Sequence, residues 1–211
     1  TDTASPYTFA WDTTAYAAGS HGLVSKAYDA AGNVGTSATV TVTVSNTGPV
    51  TVFYEGAESA TTTLTFTSTT TDTQWFRNST SAYAGAWRYR AGNPANPTGN
   101  YGNNGDARMT TPVLNLAGAS TATLTYAFKH STEASFDFFE VRISTDGGTN
   151  WTTLVHVSGQ SANWNLWAPL ATINLNAYAG QSSVKVQFRL TTDVSVVDWG
   201  AAVDEIKVVK Q

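Results

Sequence analysis

Alternation of apolar and polar residues with a period of two is the feature that most constrains this chain. Leu124, Tyr126 and Phe128 alternate with Thr and Ala residues, and the same period runs through residues 184–190. Successive side chains of a β-strand point to opposite faces of a sheet, so each segment buries one face and exposes the other. Such strands are typical of antiparallel sheets packed face to face. A helical turn is predicted only at 176–180, and the sequence therefore predicts an all-β fold.

The octet Ser144–Trp151, with the sequence STDGGTNW, predicts a β-hairpin turn. Asp146 can hydrogen-bond its own backbone, and Gly147 accepts a positive φ angle. The octet also resembles the Asp-box of secreted sialidases and other β-propellers. It occurs once here, whereas a propeller needs repeated blades. We interpret it as a structural turn and not as a sign of an active site.

Charge and cysteine content exclude several classes of protein. The chain has 211 residues, of which 12% are charged, and its formal net charge is -4. This balance offers no basic surface for nucleic acid or for anionic lipid. No apolar run is long enough to span a bilayer, so membrane insertion is not expected. The absence of cysteine excludes disulfides, thiolate ligands and a cysteine nucleophile.

Residues 1–46 form the first of two sequence units. The three strands predicted there lie at 7–11, 23–28 and 40–44. An Asn-Thr-Gly-Pro sequence at 46–49 interrupts the pattern, because Gly and Pro together favour a turn and Pro lacks a backbone donor. We therefore predict a linker at 47–51 and a second all-β unit at 52–211.

The first unit resembles the C-terminal half of bacterial immunoglobulin-like domains that occur in tandem on secreted enzymes and surface proteins. The likeness rests on SPYTFAWDTT at 5–14 and GSHGLVSKAYDAAGNVGTSATVTVTV at 19–44. A complete sandwich of this kind needs about seven strands and roughly 100 residues. We expect the missing half to belong to a longer precursor. Either the second unit covers the open face of this β-sandwich, or two copies complement one another as a dimer.

The second unit resembles the MAM-like jelly-roll domains of secreted bacterial metallopeptidases of the immune inhibitor A type, of subtilases and of glycosidases. The strongest blocks are FDFFEVRISTDGGTNWTTL at 136–154 and WGAAVDEIKV at 199–208, with NNGDARMTTPVLNL at 103–116 before them. The resemblance implies an antiparallel jelly-roll β-sandwich. It also implies a bacterial protein that is secreted or held at the cell surface.

Asp204 is predicted to point into the core of this sandwich. In the last strand it shares a face with Ile206 and Val208, and a buried carboxylate must be protonated, hydrogen-bonded or bound to a cation. Related jelly rolls hold a structural calcium ion, which prefers oxygen ligands. The candidate ligands are Glu55 and Asp204, followed by Glu58 and Asp106. The alternative is that Asp204 accepts backbone hydrogen bonds and that Glu55 is solvated.

No catalytic motif stands out in the sequence. The three histidines, at 21, 130 and 156, lack the spacing of a zinc site, and no serine lies in a nucleophile elbow. His130 continues an apolar strand face, so we place it at the edge of the core. Glutamate pairs such as Glu133 and Glu140 could be drawn as glycosidase carboxylates, but nothing distinguishes them from surface groups. We predict that this region is not itself an enzyme, although its precursor is a secreted hydrolase.

Aromatic residues near loops are the candidate ligand-binding groups. They are Trp164, Trp167, Trp199 and Tyr101. Their flat faces could stack on sugar rings, while burial at the ends of the sandwich is the alternative. We predict a non-catalytic accessory region of a secreted bacterial enzyme, and we expect that enzyme to be a peptidase. Its partners would be its upstream domains and a polysaccharide, a protein polymer or a cell surface. The alternatives are a structural or adhesive spacer and, third, a jelly-roll glycoside hydrolase.

Overall fold

The computed structural model describes residues 3–46 and 48–211. The chain divides into two compact units, Thr1–Gly48 and Pro49–Gln211. In the described residues, no helix is long and apolar enough to cross a membrane.

The linker predicted at 47–51 is shorter in the structure. Val50 and Thr51 already belong to a strand, because they pair with the last strand of the chain. Thr47 lies outside the described residues, as do Thr1 and Asp2 of the predicted first module.

The first unit consists of two separate strand pairs. Its strands are β1 (Gly19–Leu23), β2 (Lys26–Tyr28), β3 (Val34–Thr36) and β4 (Val40–Val44). β1 pairs with β4, and β2 pairs with β3, both antiparallel. Residues 7–11 do not form the predicted strand, and Phe9 is 88% exposed. The prediction from alternation is wrong here, since alternation alone does not place a segment in a sheet.

The second unit is an antiparallel sandwich of two sheets. Its strands are β5 (Val50–Glu55), β6 (Thr65–Thr67), β7 (Gln74–Asn78), β8 (Arg88–Gly92), β9 (Asp106–Thr110), β10 (Ala122–Ser131), β11 (Phe138–Ser144), β12 (Thr152–Val157), β13 (Ala171–Asn174), β14 (Lys185–Thr191) and β15 (Gly200–Lys210). One sheet has six strands in the order β13-β10-β15-β8-β7, with β5 also paired to β15. The other has five strands in the order β12-β11-β14-β9-β6. A 3₁₀ turn at Asn176–Tyr178 lies within the predicted helical turn.

The apolar core lies between these two sheets. Tyr126 of β10 meets Phe188 of β14 with ring centroids 5.3 Å apart, and Phe128 of β10 stacks on Phe139 of β11 at 5.6 Å. These are the alternating residues that predicted half-buried strands, and burial of their rings supplies much of the driving force for folding. The predicted all-β sandwich is confirmed.

A β-bulge in β15 changes which residues face the core. Glu205 has a left-handed φ of 52°, and Glu205 and Ile206 together lie opposite Tyr126 of β10. The extra residue shifts the alternation, so Val203 and Ile206 both belong to the core. Asp204 therefore points away from the core. Its predicted inward position is wrong, because strict alternation does not hold across a bulge.

The octet 144–151 forms the predicted hairpin turn between β11 and β12. One oxygen of Asp146 accepts hydrogen bonds from the Ser144 hydroxyl and from the backbone N–H groups of Thr149 and Asn150. The bonds from Asn150 and Ser144 hold the pKa of Asp146 well below its usual range. Gly147 and Gly148 have φ angles of 73° and 103°, which only glycine adopts readily.

Candidate binding surface on the six-stranded sheet

Buried charged side chains lie on the outer face of the six-stranded sheet, the face turned away from the apolar core. They are Arg88 and Arg90 of β8, Lys129 of β10 and Asp204 of β15, with relative exposures of 2%, 0%, 4% and 0%. Their neighbours along each strand point into the core, so alternation places these four on the opposite face. Sequence reasoning missed the three cations. Charged residues within alternating strands are the signal that could have found them.

Arg90 is anchored by the backbone of two loops. Its guanidinium donates to the carbonyl oxygens of Pro97, Gly99 and Trp199. Burial lowers its pKa to about 10, and the nearby positive charge of Arg88 adds to this effect. Three carbonyl partners satisfy much of this guanidinium, so Arg90 joins these loops to the sheet.

Arg88 and Lys129 have fewer partners. Nη1 of Arg88 donates to the carbonyl of Ser81 at 3.1 Å, and Nζ of Lys129 donates to the carbonyl of Asn165 at 3.3 Å. Burial lowers the pKa of Arg88 to about 10, although the charge of Asp204 opposes the shift. Burial and the charge of Arg88 lower the pKa of Lys129 to about 8. Both side chains therefore remain largely charged at neutral pH.

Two predicted calcium ligands hold a loop over this face. Oδ2 of Asp204 accepts the backbone N–H groups of Tyr83 and Ala84 at 2.9 and 3.2 Å. Oε1 of Glu58 accepts those of Ala86 and Trp87 at 3.0 and 2.9 Å. Burial raises the pKa of Asp204, while these backbone bonds oppose the shift. The expected alternative for Asp204, a carboxylate satisfied by backbone donors, describes this arrangement.

Glu55 lies at the end of β5, where its carboxylate also has protein partners. Oε1 accepts the N–H of Ala57 at 2.9 Å, and Oε2 accepts the hydroxyl of Thr62 at 2.6 Å. Among the described residues, no three of the four predicted calcium ligands have carboxylate oxygens within 4.8 Å of one another. The structure therefore satisfies these carboxylates with N–H and O–H donors, and calcium binding by Glu55 and Asp204 stays a prediction.

Asp106 belongs to an ion-pair network on the other sheet. Its two oxygens accept hydrogen bonds from Nε and Nη2 of Arg189 at 2.8 and 2.9 Å. The same carboxylate also forms an ion pair with Arg108. Burial alone would raise the pKa of Asp106, but the two guanidinium groups outweigh it and hold the pKa at about 2. Two cations already occupy this carboxylate. These ion pairs do not favour a calcium ion at Asp106, and its role as a calcium ligand stays a prediction.

Tyr101 is buried and cannot stack on a sugar at the surface. It is 2% exposed, and its hydroxyl donates to Oδ2 of Asp137. Its prediction as a ligand-binding residue is wrong because the loop 100–105 packs its ring inward. The carboxylates of Glu133, Asp137 and Asp193 lie within 4.8 Å of one another beside it. Burial and the neighbouring negative charges raise the pKa of Glu133.

The three predicted tryptophans do come together. Trp164 and Trp199 have ring centroids 5.6 Å apart, and the indole N–H of Trp167 donates to the carbonyl of Ser81 at 2.9 Å. The ring of Tyr83 lies edge-on to Trp167 at 5.8 Å. All three tryptophan residues are half-buried. We call Trp164, Trp167 and Trp199 the tryptophan cluster.

A shallow cavity opens on the same face, where β5, β15 and β10 lie side by side. Its volume is about 530 Å³, and it is lined by Thr51, Tyr54, Thr125, Leu170, Glu205 and Lys207. The Tyr54 hydroxyl donates to Glu205 at 2.7 Å, and this bond, with burial, raises the pKa of Tyr54 to about 12. The bulge residue therefore helps to form the cavity wall.

The contacts of His130 and Glu140 indicate structural roles for both residues. His130 is buried and stacks on Phe128, with centroids 5.9 Å apart, as predicted for a histidine at the core edge. Burial lowers its pKa. Glu140 pairs with Arg189 at 3.0 Å and with His156 at 2.9 Å. A carboxylate held between two such partners joins neighbouring strands of the five-stranded sheet.

Comparison with solved structures shows the class of fold. The K1 cleaved adhesin domain of Lys-gingipain from Porphyromonas gingivalis is 17% identical and has a TM-score of 0.51, covering 77% of this chain and 98% of that chain. The K3 domain of the same protein is 19% identical, with a TM-score of 0.50 and coverage of 77% and 99%. This chain therefore has the β-sandwich fold of those domains.

One curated relative is similar in sequence. A stretch of 111 residues is 28% identical to Bacillopeptidase F of Bacillus subtilis, and it covers 53% of this chain. The same stretch spans 7% of that relative's length. No protein-family model matches the sequence.

Proposed function

We propose that this chain is a non-catalytic accessory region of a secreted bacterial multidomain enzyme, and that this enzyme is a peptidase. In this proposal the second unit binds a polymeric substrate or a cell surface. The partial match to Bacillopeptidase F supports the link to a peptidase, since it covers a small part of a much longer chain. The fold shared with cleaved adhesin domains supports a binding role over a catalytic one.

The tryptophan cluster is the observation that carries the proposal. Three half-buried indoles lie together on one sheet face, beside loops rich in Asn and Gly. Aromatic faces with nearby polar groups contact sugar rings or extended peptides well, because the ring covers apolar surface while amides offer hydrogen bonds.

Co-sedimentation with insoluble polymers tests the proposal. The full chain is mixed with cellulose, xylan, chitin, peptidoglycan and collagen, and soluble fragments of any bound polymer are then titrated against tryptophan fluorescence. We expect binding to at least one polymer and an affinity loss of about tenfold in Trp167→Ala or Trp199→Ala. Trp151→Phe, in the hairpin of the other sheet, is the matched control and should bind as wild type.

Absence of binding across this panel would contradict the proposal and favour the structural spacer. A spacer has a distinct signature in the full-length precursor. Deleting the second unit would lower the stability or secretion of the enzyme without changing its preference for insoluble substrate.

Calcium remains a separate proposal, resting on the resemblance to calcium-binding jelly rolls and on the acidic residues Glu55, Glu58 and Asp204. A midpoint of thermal unfolding that falls on chelation and recovers with added calcium would support it. An unchanged midpoint would contradict it, in agreement with the backbone donors that already satisfy these carboxylates.

A further inference from the structure

The outer face of the six-stranded sheet buries three cations without a matching number of anions. All ion pairs in the described part of the chain lie on the five-stranded sheet, among Asp106, Arg108, Glu140, His156 and Arg189. Arg88, Arg90 and Lys129 take part in none of them. Buried charges are ordinarily paired, so an excess of buried positive charge calls for a physical explanation.

Asp204 does not balance this charge. It is a single carboxylate, and backbone N–H groups of Tyr83, Ala84 and Glu205 already donate to its oxygens. It lies near enough to Arg88 to influence it electrostatically but does not pair with it. The four buried charged side chains of the outer face, three cations and one carboxylate, therefore keep an excess of two positive charges.

Unused hydrogen-bond donors lie in the same place. Nε of Arg88 is buried and has no hydrogen-bond partner. Nζ of Lys129 can donate three hydrogen bonds, and the structure shows it donating to Asn165 at 3.3 Å. Nε of Arg90 is likewise buried without a hydrogen-bond partner, but three loop carbonyls accept from the rest of its guanidinium. Arg88 and Lys129 are thus the two cations with the fewest protein partners.

Two indoles flank these cations. Cζ of Arg88 lies 5.1 Å from the ring centroid of Trp199 and 6.0 Å from that of Trp167. Nζ of Lys129 lies 5.5 and 5.1 Å from the same two centroids. Cation–π contacts at such distances stabilise the unpaired charges only in part. The same geometry places fixed positive charge beside two partly exposed aromatic faces.

We propose that this site binds an acidic sugar, with the carboxylate or sulfate group paired to Arg88 and Lys129 and the sugar ring against Trp167 and Trp199. An oxyanion would take the free donors and balance the buried charge, and charge-assisted hydrogen bonds of this kind are the stronger ones. The inference rests on the proposed binding function and narrows its ligand to anionic glycans.

Titration of the full chain with three soluble probes tests the inference. Oligogalacturonate carries carboxylates, dextran sulfate fragments carry sulfate esters, and xylohexaose is neutral. We expect at least one acidic probe to bind about tenfold more tightly than xylohexaose, and added salt to weaken that binding. The two acidic arms distinguish a carboxylate from a sulfate ligand, and binding of either supports the inference.

Lys129→Met removes the charge and keeps most of the side-chain volume. We expect this substitution to weaken binding of the acidic probe by about tenfold and to change the affinity for the neutral probe by less than about twofold. Lys26→Met removes the same charge from an exposed position in the first unit and should change neither affinity. Thermal melting verifies that both variants are folded. If Lys129→Met does not fold, the inference is tested by the affinities of the wild-type chain for the acidic and neutral probes.

Equal affinity for acidic and neutral probes would overturn the inference and leave the proposed binding function intact. Unchanged acidic-probe binding in a folded Lys129→Met variant would overturn it in the same way. Failure of every soluble probe and insoluble polymer to bind would contradict the proposed function as well.

Discussion

The two units of this chain have similar strand patterns but very different cores. The first unit has four short strands in two separate pairs, and Val44 is its one buried apolar residue within positions 3–46. The second has eleven strands in two facing sheets, with a continuous core from Phe53 to Val208. Strand-forming sequence is therefore insufficient for a core. A second layer must cover each apolar face.

The largest effect is expected from removing a ring at the centre of the second unit. Phe188 is fully buried between the sheets, in contact with Tyr126 and Phe139. Phe188→Ala should lower the free energy of unfolding by about 3–5 kcal/mol, because a cavity replaces the ring. Denaturant unfolding measures this loss. Phe136→Ala, at an exposed position, is the control, and an equal loss there would contradict the assigned core.

A smaller effect is expected from the ion pairs on the five-stranded sheet. The pKa of Asp106 is lowered to about 2, so its pairing stabilises the folded state above the usual pKa of 3.8 and is lost as the pH falls through 2. Asp106→Asn should lower stability at pH 7 by about 2 kcal/mol and flatten the loss of stability between pH 4 and 2. Urea unfolding at several pH values measures both.

Asp12→Asn provides the comparison within the first unit. It removes the same charge from an exposed position and should leave the unfolding of the second unit unchanged. A pH profile of Asp106→Asn that is parallel to that of wild type would show that Asp106 does not contribute through its ionisation.

A modest effect is expected at the hairpin turn. Asp146→Ala removes an oxygen that accepts bonds from Ser144, Thr149 and Asn150, so the Tm should fall by a few degrees. Calorimetry measures this shift. Thr145→Ala, an exposed neighbour within the same turn, should melt as wild type. A similar Tm for the two variants would argue against the role assigned to Asp146.

The smallest effect is expected in the first unit. Phe9 is 88% exposed, and Phe9→Ser should change the free energy of unfolding by less than about 0.5 kcal/mol. Denaturant unfolding followed by tryptophan fluorescence measures it. A loss comparable to that of Phe188→Ala would show that Phe9 is covered in solution, and the contrast between the units would then fail.

Much of the second unit could be predicted from local pattern. The hairpin turn predicted at 144–151 lies between β11 and β12, because alternation and an Asp-Gly turn act over a few residues. Alternation does not predict β7, since its polar residues Gln74, Arg77 and Asn78 obscure the period of two. Residues 7–11 have the alternating pattern but do not form a strand.

The site was less predictable than the fold. The three members of the tryptophan cluster were each named as candidates, because large aromatic residues near loops are visible in the sequence, but their grouping was not predicted and their binding role stays a prediction. Arg88 and Lys129 were not predicted as site residues, since their grouping depends on how β8 and β10 are placed on either side of β15. Asp204 was assigned to the wrong face because one added residue in a strand cannot be read from the period alone.

The extra residue in β15 also determines where the chain can change length. Removing Glu205 would restore strict alternation, and Val203, Ile206 and Val208 would still face inward while Asp204 would still face outward. Removing Val203 instead would leave the inward row with a gap opposite Phe128. Deletion at 205 therefore keeps the inward row intact at the expense of the Tyr54 contact, whereas deletion of Val203 does not keep it.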